Sequence, residues 1–323
     1  MKVLITGSRG YIGSNLAKTF VYNDIIPFGV DRELRPEGSA IYGLFHHTSF
    51  EDPDLADIIC NFGIDTICHL AADASVPDSL VSPDKYYKNN VANTIQLLNN
   101  LVERKWKGNI IFSSSAAVYP STSFPVSEDQ ETNPMNPYGH SKLMCEQILR
   151  DYHNAFGIGV VCFRYFNVAG AWGDTGDHEA SDHVIQKLIR ASFNGSNFVI
   201  FSDKKDTPDG TCVRDYFHVR DVCDAHLAAI TFLKANPGFY IYNLGTSSGT
   251  SVAELIKEFE LTTKADLNFI VGPPRPGDPD FLVANGSKFV QDVKYTYKHS
   301  DLKNILATAY EYGSIKQKEY HGV

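Results

Sequence analysis

The feature that most constrains this chain lies near its start, where "KVLIT" (residues 2–6) runs into "GSRGYIG" and on into "YIGSNLAKTFVYN". A short apolar run, a glycine loop and a stretch with apolar residues at helical spacing read as strand, tight turn and helix. Gly7, Gly10 and Gly13 are spaced GxxGxxG, a variant of the GxGxxG dinucleotide fingerprint. Glycines permit the turn and let backbone approach a pyrophosphate, while the helix N-terminus offers unpaired N–H groups and positive dipole. Such a unit calls for an acidic residue at the end of the next strand, about twenty residues on. "IIPFGVD" (25–31) supplies Asp31, placed to accept hydrogen bonds from an adenosine ribose. Its charge would repel a 2′-phosphate, so the pattern favours NAD over NADP, with Arg9 and Arg32 pulling slightly the other way.

"IDTICHLAA" (64–72), "NIIFSSS" (109–115) and "GVVCFRYFN" (159–167) read as further buried strands, with helical patterns near 89–104 and 138–155 between them. Strands alternating with helices predict an α/β fold, a doubly wound parallel sheet of Rossmann-like type with helices on both faces. Beyond about residue 168 the alternation loosens into polar, turn-rich stretches and the Pro/Gly loop "GPPRPGDPD" (272–280). The expected organisation is an NAD-binding domain over 1–168, a segment near 212–235 returning to it, and a smaller α/β lobe over 169–323 that mainly binds substrate. A chain of 323 residues is long enough for both. The formal charge of −9 argues against a nucleic-acid partner. Cys60, Cys68, Cys145, Cys162, Cys212 and Cys223 show no CxxC pair and no metal spacing. They read as reduced thiols of a cytoplasmic protein without a metal. No basic-then-apolar leader opens the sequence and no apolar run suits a bilayer, so neither a signal peptide nor a membrane partner is expected.

"PYGHSKLM" (137–144) raises the question of chemistry. Pro137 suits a first helical turn, and on a helix Tyr138 and Lys142 share a face. Alone, the pair describes two exposed side chains on an ordinary amphipathic helix. "IIFSSSAAVY" places Ser115 at a strand's carboxyl end, where doubly wound sheets bind ligands, although a serine there serves equally as a cap. Together with a dinucleotide site, the three make a catalytic set. The positive charges of a nicotinamide and of Lys142 favour the Tyr138 phenolate and lower its pKa. A phenolate in reach removes a hydroxyl proton while a hydride leaves for the nicotinamide. Lys142 would also hold the nicotinamide ribose.

With "YYKNNVANTIQLL", "RYFNVAGA", "DGTCVRDYFHVRDV", "YNLGTSSGTSV" and "RPGDPD" added, these motifs follow one another over nearly the whole length. The chain resembles the extended short-chain dehydrogenase/reductase family, and within it the nucleotide-sugar 4-epimerases. The resemblance implies reversible C4 inversion of a UDP-hexose, UDP-galactose or UDP-glucose, through a 4-keto sugar and a tightly held NAD. It implies Ser115, Tyr138 and Lys142 as catalytic residues. Gly7, Gly10, Tyr11, Ile12, Gly13, Asp31, Arg32, Leu70, Ala71, Ala72, Asn89, Lys142 and Tyr165 would line NAD. Phe166, Asn167, His183, Phe201, Arg214, Tyr216, Arg275, Asp278 and Leu282 would hold the UDP-sugar, the two arginines suiting a diphosphate. Arg214 and Arg275 read otherwise as solvated charge, and Asn167 as a turn residue. Related dehydratases and decarboxylases carry an acid just after the serine, where this chain has Ala116 and Ala117. That leaves plain epimerisation, which needs only Tyr138.

The chain departs from the family at Thr48 and Ser49, where relatives place an acid near the adenine, and at Asp73 and Ala74, where some place a lysine. Leu282 stands where residue size decides whether N-acetyl sugars enter, and leucine is intermediate. An epimerase for UDP-N-acetylhexosamine or UDP-pentose, and a non-catalytic NAD-binding protein, are the alternatives. The resemblance also implies a homodimer through the helices near 89–104 and 138–155. Ile95, Leu97, Leu98 and Leu101 would suit packing on the sheet equally well.

Overall fold

A computed structural model describes residues 1–34, 42–178, 181–202, 206–273 and 279–321. β1 (Val3–Thr6) leads through the glycine loop into α1 (Tyr11–Tyr22), followed by β2 (Phe28–Asp31), β3 (Leu44–His47) and α2 (Pro53–Asn61). Next come β4 (Thr66–His69), α3 (Val76–Val81), α4 (Pro83–Tyr86), a π-helical turn (Tyr87–Ala92), α5 (Asn93–Glu103) and β5 (Asn109–Ser115). A 3₁₀ turn (Ala116–Val118) precedes α6 (Pro137–Phe156) and β6 (Gly159–Tyr165). Short strands follow, β7 (Asn167–Ala169), β8 (Ala171–Trp172) and β9 (Thr175–Gly176), then α7 (Val184–Asn194), β10 (Asn197–Phe201), β11 (Val213–His218) and α8 (Val219–Ala235). β12 (Phe239–Leu244), β13 (Gly249–Ser251), α9 (Val252–Thr263), β14 (Asn268–Gly272), β15 (Phe281–Leu282), α10 (Ser287–Val293) and α11 (Leu302–His321) complete the order.

Seven strands form one parallel sheet in the order β12-β6-β5-β4-β1-β2-β3. The chain winds outward from β1 in one direction through β3, then returns to build the other half from β4. The crevice between the carboxyl ends of β1 and β4 is therefore the switch point at which such sheets bind ligands. Alternation along β1 fills a core on each face: Val3 and Ile5 pack with Leu16, Phe20, Val222 and Ile230 of α1 and α8, and Leu4 with Leu55, Ile59, Leu97 and Leu149 of α2, α5 and α6.

The second lobe surrounds its own core of Ile185, Leu188, Leu255, Phe259, Ile305 and Leu306, from α7, α9 and α11, under the parallel pair β10–β14. A separate sheet joins β11 to β7, β13 and β15. The segment after β5 crosses to this sheet: Val126 N–H donates to the Val283 carbonyl at 2.9 Å, and Asn285 N–H to the Val126 carbonyl at 2.7 Å.

The structure refines several expectations. Of the segment near 212–235, α8 packs on the main sheet while β11 belongs to the other one, and β12, from beyond that segment, supplies the edge strand. The strand expected over 64–72 ends at His69, because Leu70–Ala72 leave the sheet to line the crevice. The helix near 89–104 is interrupted by the π-helical turn around buried Asn90, whose side chain bonds Asp73 and Ser141. Leu97, Leu98 and Leu101 belong to the core and Ile95 is half-buried. Among the described residues, no helix is long and apolar enough to cross a membrane.

Candidate functional site

An open cleft at the switch point is lined by Gly7, Arg9, Gly10, Asp31, Arg32, Thr48, Ser49, Leu70, Ala71, Ala72 and Asn89, among others. The glycine loop shapes one wall. Gly7 adopts φ +70°, a left-handed conformation that favours glycine. A Cβ on Gly13 would stand 2.1 Å from the Gly7 carbonyl oxygen, so the chain can fold back here only without a side chain. Gly10 begins α1 with no side-chain cap, leaving its first N–H groups for a ligand anion. Asp31 accepts from Arg9 N–H at 2.9 Å and Glu33 N–H at 3.0 Å, which fixes its carboxylate at the cleft edge with acceptor capacity remaining. This combination of glycine cradle, uncapped helix and oriented carboxylate fits a dinucleotide.

The opposite wall rests on a buried network that sequence reasoning missed. Thr94 Oγ1 donates to the Asn90 carbonyl at 2.6 Å, so at 3.0 Å it accepts from His69 Nε2–H. His69 Nδ1 then accepts from Thr6 Oγ1 at 2.8 Å, and Thr6 Oγ1 in turn accepts from Leu70 and Ala71 N–H at 3.2 Å. Burial, then the charge of Lys142, holds the His69 pKa down at about 3, so the ring stays neutral and keeps this tautomer. The result is a rigid ledge at Leu70–Ala72. The individual motif letters, a threonine ending a strand and a lone histidine, carried no signal of it.

Tyr138 and Lys142 come together as their spacing predicted. Asn136 caps α6 by accepting from Gly139 N–H at 2.9 Å, and Pro137 occupies the first turn. A Cβ on Gly139 would lie 2.2 Å from the Ala117 carbonyl oxygen, so this glycine sets how closely α6 approaches the turn after Ser115. The Ser115 hydroxyl faces the Tyr138 phenol and favours its phenolate, and Ser115 Oγ accepts from Ala117 N–H at 3.1 Å. Lys142 Nζ lies 5.9 Å from the Tyr138 ring centre and donates to the Ser113 carbonyl at 2.8 Å. One turn further, Glu146 forms a buried bidentate pair with Arg164 at 2.9 and 2.7 Å and accepts from Ser114 Oγ.

The expected depression of the Tyr138 pKa does not arise from the protein groups alone. Burial pushes the phenol up, and the nearby Ser115 hydroxyl only partly opposes it. Burial also lowers Lys142, to about 8, against the charges of Cys145 and Glu146. The site as folded holds a neutral phenol beside a buried amine, both displaced by desolvation towards neutrality.

Other predicted residues divide. Tyr11 and Tyr165 spend their hydroxyls on structure: Tyr11 donates to the Gly170 carbonyl at 2.7 Å, and Tyr165 to His226 Nε2 at 2.8 Å, since Nδ1 of that ring bonds the Val222 carbonyl. Ile12 packs against the core under α1. Phe166 and Leu282 meet Ala116 in one apolar cluster, which brings β15 next to the serine strand. Asn167 and Tyr216 are register partners in β7 and β11. Arg214 donates to the carbonyls of Val213 at 2.9 Å and Pro279 at 2.6 Å. His183, preceding α7, bonds Asp177 at 2.8 Å, and Phe201 ends β10 opposite Gly272. Arg275 and Asp278 lie outside the described residues.

Comparison with known proteins agrees with this geometry. Residues 3–245 match the model of the NAD dependent epimerase/dehydratase family. The chain is 37% identical to a UDP-glucose 4-epimerase of Lactobacillus helveticus, with 99% of each chain covered. It superposes on UDP-glucose-4-epimerase from Stenotrophomonas maltophila, solved with bound NAD and formylated UDP-arabinopyranose, with a TM-score of 0.93 and 31% identity over 99% of both chains. UDP-glucose 4-epimerase from Brucella ovis, in complex with NAD, gives a TM-score of 0.90 at 34% identity over 97% of this chain and 98% of that one. Glycine cradle, Asp31, the Ser115–Tyr138 pair and these likenesses along the whole chain lead to one conclusion: the chain belongs to the NAD dependent epimerase/dehydratase family.

Proposed function

We propose that this protein inverts C4 of a UDP-hexose, interconverting UDP-galactose and UDP-glucose with NAD held in the switch-point cleft. The observation that carries the reading is that Ser115, Tyr138 and Lys142 come together, with Lys142 Nζ 5.9 Å from the Tyr138 ring centre and Ser115 favouring its phenolate. Bound NAD supplies a reversible hydride acceptor. Gly7, Gly10, Gly13 and the α1 N-terminus would hold its pyrophosphate, Asp31 and Arg32 its adenosine ribose, and Leu70–Ala72, Asn89 and Lys142 the remainder. Tyr138 takes the C4 hydroxyl proton and returns it to the inverted alcohol, with Ser115 orienting phenol and sugar. Desolvation opposes the phenolate, so positive charge drawn close to Tyr138 is what makes it a base at neutral pH. The apolar Ala116 and Ala117 provide no second acid or base after the serine.

The sheet with β11 and β15 would bind the sugar nucleotide through Phe166, Asn167, Tyr216, Arg214 and Leu282, with His183, Phe201, Arg275 and Asp278 around it. The seven-stranded lobe would serve the cofactor. We infer a homodimer. Exposed apolar residues on α3, the π-helical turn and α6 support it: Leu80 46%, Val81 83%, Tyr87 37% and Met144 41% exposed. Five of the cysteines, Cys60, Cys68, Cys145, Cys162 and Cys223, stand as thiols, which supports a cytoplasmic setting.

Turnover of UDP-galactose, UDP-N-acetylgalactosamine and UDP-arabinopyranose, measured side by side without added NAD, tests the reading. UDP-glucose formed from the first substrate alone supports it. Turnover of the acetylated sugar or the pentose moves the assignment to that class. Tyr138→Phe is expected to lose about 10²–10⁴-fold in kcat while retaining NAD, and full activity in that variant removes Tyr138 from the mechanism. Sedimentation at micromolar concentration tests the dimer.

A further inference from the structure

Arg32 follows Asp31 at the end of β2, and Asp73 follows Ala72 beyond the end of β4, so the two side chains start from opposite walls of the dinucleotide cleft. They meet: Arg32 Nη2 stands 3.6 Å from Asp73 Oδ1, and Lys85 Nζ reaches the same oxygen at 3.4 Å. Lys85 is itself anchored to Asp78 at 2.9 Å. The Asp73 side chain is only 11% exposed, whereas that of Arg32 is 56% exposed. The second oxygen, Asp73 Oδ2, is buried without a hydrogen-bond partner. A shielded carboxylate with one unsatisfied oxygen depends on its two cations. Its backbone does not depend on them, because Asp73 N–H and C=O both pair with the Asn90 side chain, at 2.9 and 3.0 Å.

Resting on the reading of this cleft as the NAD site, we propose that Asp73 is a positioning residue, the fixed half of an ion-pair clasp that closes across the bound dinucleotide and slows its exchange. Lys85 holds the carboxylate from behind, and Arg32 is the moving half. Arg32 is half exposed and its contact is loose, so it swings away when the cofactor enters or leaves and returns to span the cleft. Two consequences follow from charge alone. Exchange quickens with salt, because the Arg32–Asp73 contact is partly open to solvent. Neutralising Asp73 quickens exchange and removes that salt response.

The test follows replacement of bound NAD by isotope-labelled NAD in the holoenzyme, by mass spectrometry, at about 0.05 M and about 0.5 M salt. Asp73→Asn is expected to exchange about fivefold faster than wild type at low salt, the most that a partly exposed pair supplies, and to respond little to salt. Lys85→Met, which leaves the cleft itself untouched, is expected to show a smaller acceleration in the same direction. Asp73→Glu is expected to recover the slow, salt-sensitive exchange. Wild-type exchange and salt response in both Asp73→Asn and Lys85→Met overturn the clasp while leaving the NAD site intact. A wild-type protein that neither carries nor takes up NAD overturns the cofactor reading and the clasp with it.

Discussion

The two walls of the site are built on different principles. The cofactor wall is made by short stretches of chain acting close to home: a strand, a glycine turn, an uncapped helix and the next strand's aspartate lie within residues 3–31. The wall proposed for substrate is gathered from far apart. β7, β11, β13 and β15 are drawn from between Asn167 and Leu282, and the crossing at Val126 ties them to the segment that follows the strand carrying Ser115. In the first wall backbone groups are left open for a ligand. In the second, charged side chains hold backbone: Arg214 donates to the carbonyls of Val213, Pro279 and Asp280, and Asp215 collects Thr246 N–H at 2.8 Å, Ser247 N–H at 2.9 Å and Ala284 N–H at 3.2 Å. A local wall fails by steric intrusion and a gathered wall by the loss of a staple.

That contrast can be broken by substitution. Gly13→Ala carries the largest expected effect. The added methyl meets main-chain atoms, the Gly7 oxygen at 2.1 Å and Ser8 Cα at 2.8 Å, which cannot rotate away. A loss of about 3–5 kcal/mol in unfolding free energy is expected, together with loss of NAD from the purified protein. Retained NAD with near-normal melting would show that the loop has room the geometry denies.

Asp215→Ala addresses the second wall. It strips the acceptor from three N–H groups, of which that of Ala284 is buried, so about 2–3 kcal/mol is expected, measured by denaturant titration. NAD should remain bound while KM for the sugar nucleotide rises. Loss of NAD instead would mean that the two walls are not separable.

The smallest effect has the opposite sign and sits where the walls meet. Burial holds Lys142 at about 8 against an ordinary 10.5, so its folded-state pKa is depressed. Stability from this group is therefore present above about pH 10.5, is lost as pH falls towards 8, and stays lost below it. The full shift corresponds to about 3 kcal/mol. After loss of the Ser113 hydrogen bond, Lys142→Met should be more stable than wild type by about 1–2 kcal/mol at pH 7, without added cofactor. The gain should fade as pH rises beyond 8, and turnover should fall sharply. Lower stability at pH 7 would show that Lys142 is held by interactions stronger than its burial penalty.

The residues legible in advance share one property: their meaning is local. Gly7, Gly10, Gly13 and Asp31 need only a strand, a turn and the following strand, and Tyr138 and Lys142 need only one helical turn. Where a role depends on a partner distant in sequence, the letters carried little. The hydroxyls of Tyr11 and Tyr165 bond Gly170 and His226, 159 and 61 residues away, which nothing near them in sequence announced. Thr6, His69 and Thr94 build a ledge through bonds spanning 63 and 25 residues and announce it with no motif.

The sequence by itself determined a parallel α/β sheet with a nucleotide cradle at its first turn, because hydrophobic periodicity, glycine conformation and i,i+4 geometry are properties of a few neighbouring residues. It also placed Ser115 at a strand's carboxyl end and Tyr138 and Lys142 on one face of a helix. Only the tertiary structure decided their protonation tendencies, since desolvation of Tyr138 and Lys142 depends on everything packed around them. The same holds for the second lobe and for the charges that meet across the cleft. Burial and long-range pairing arise from the whole fold, and no local stretch of chain encodes them alone.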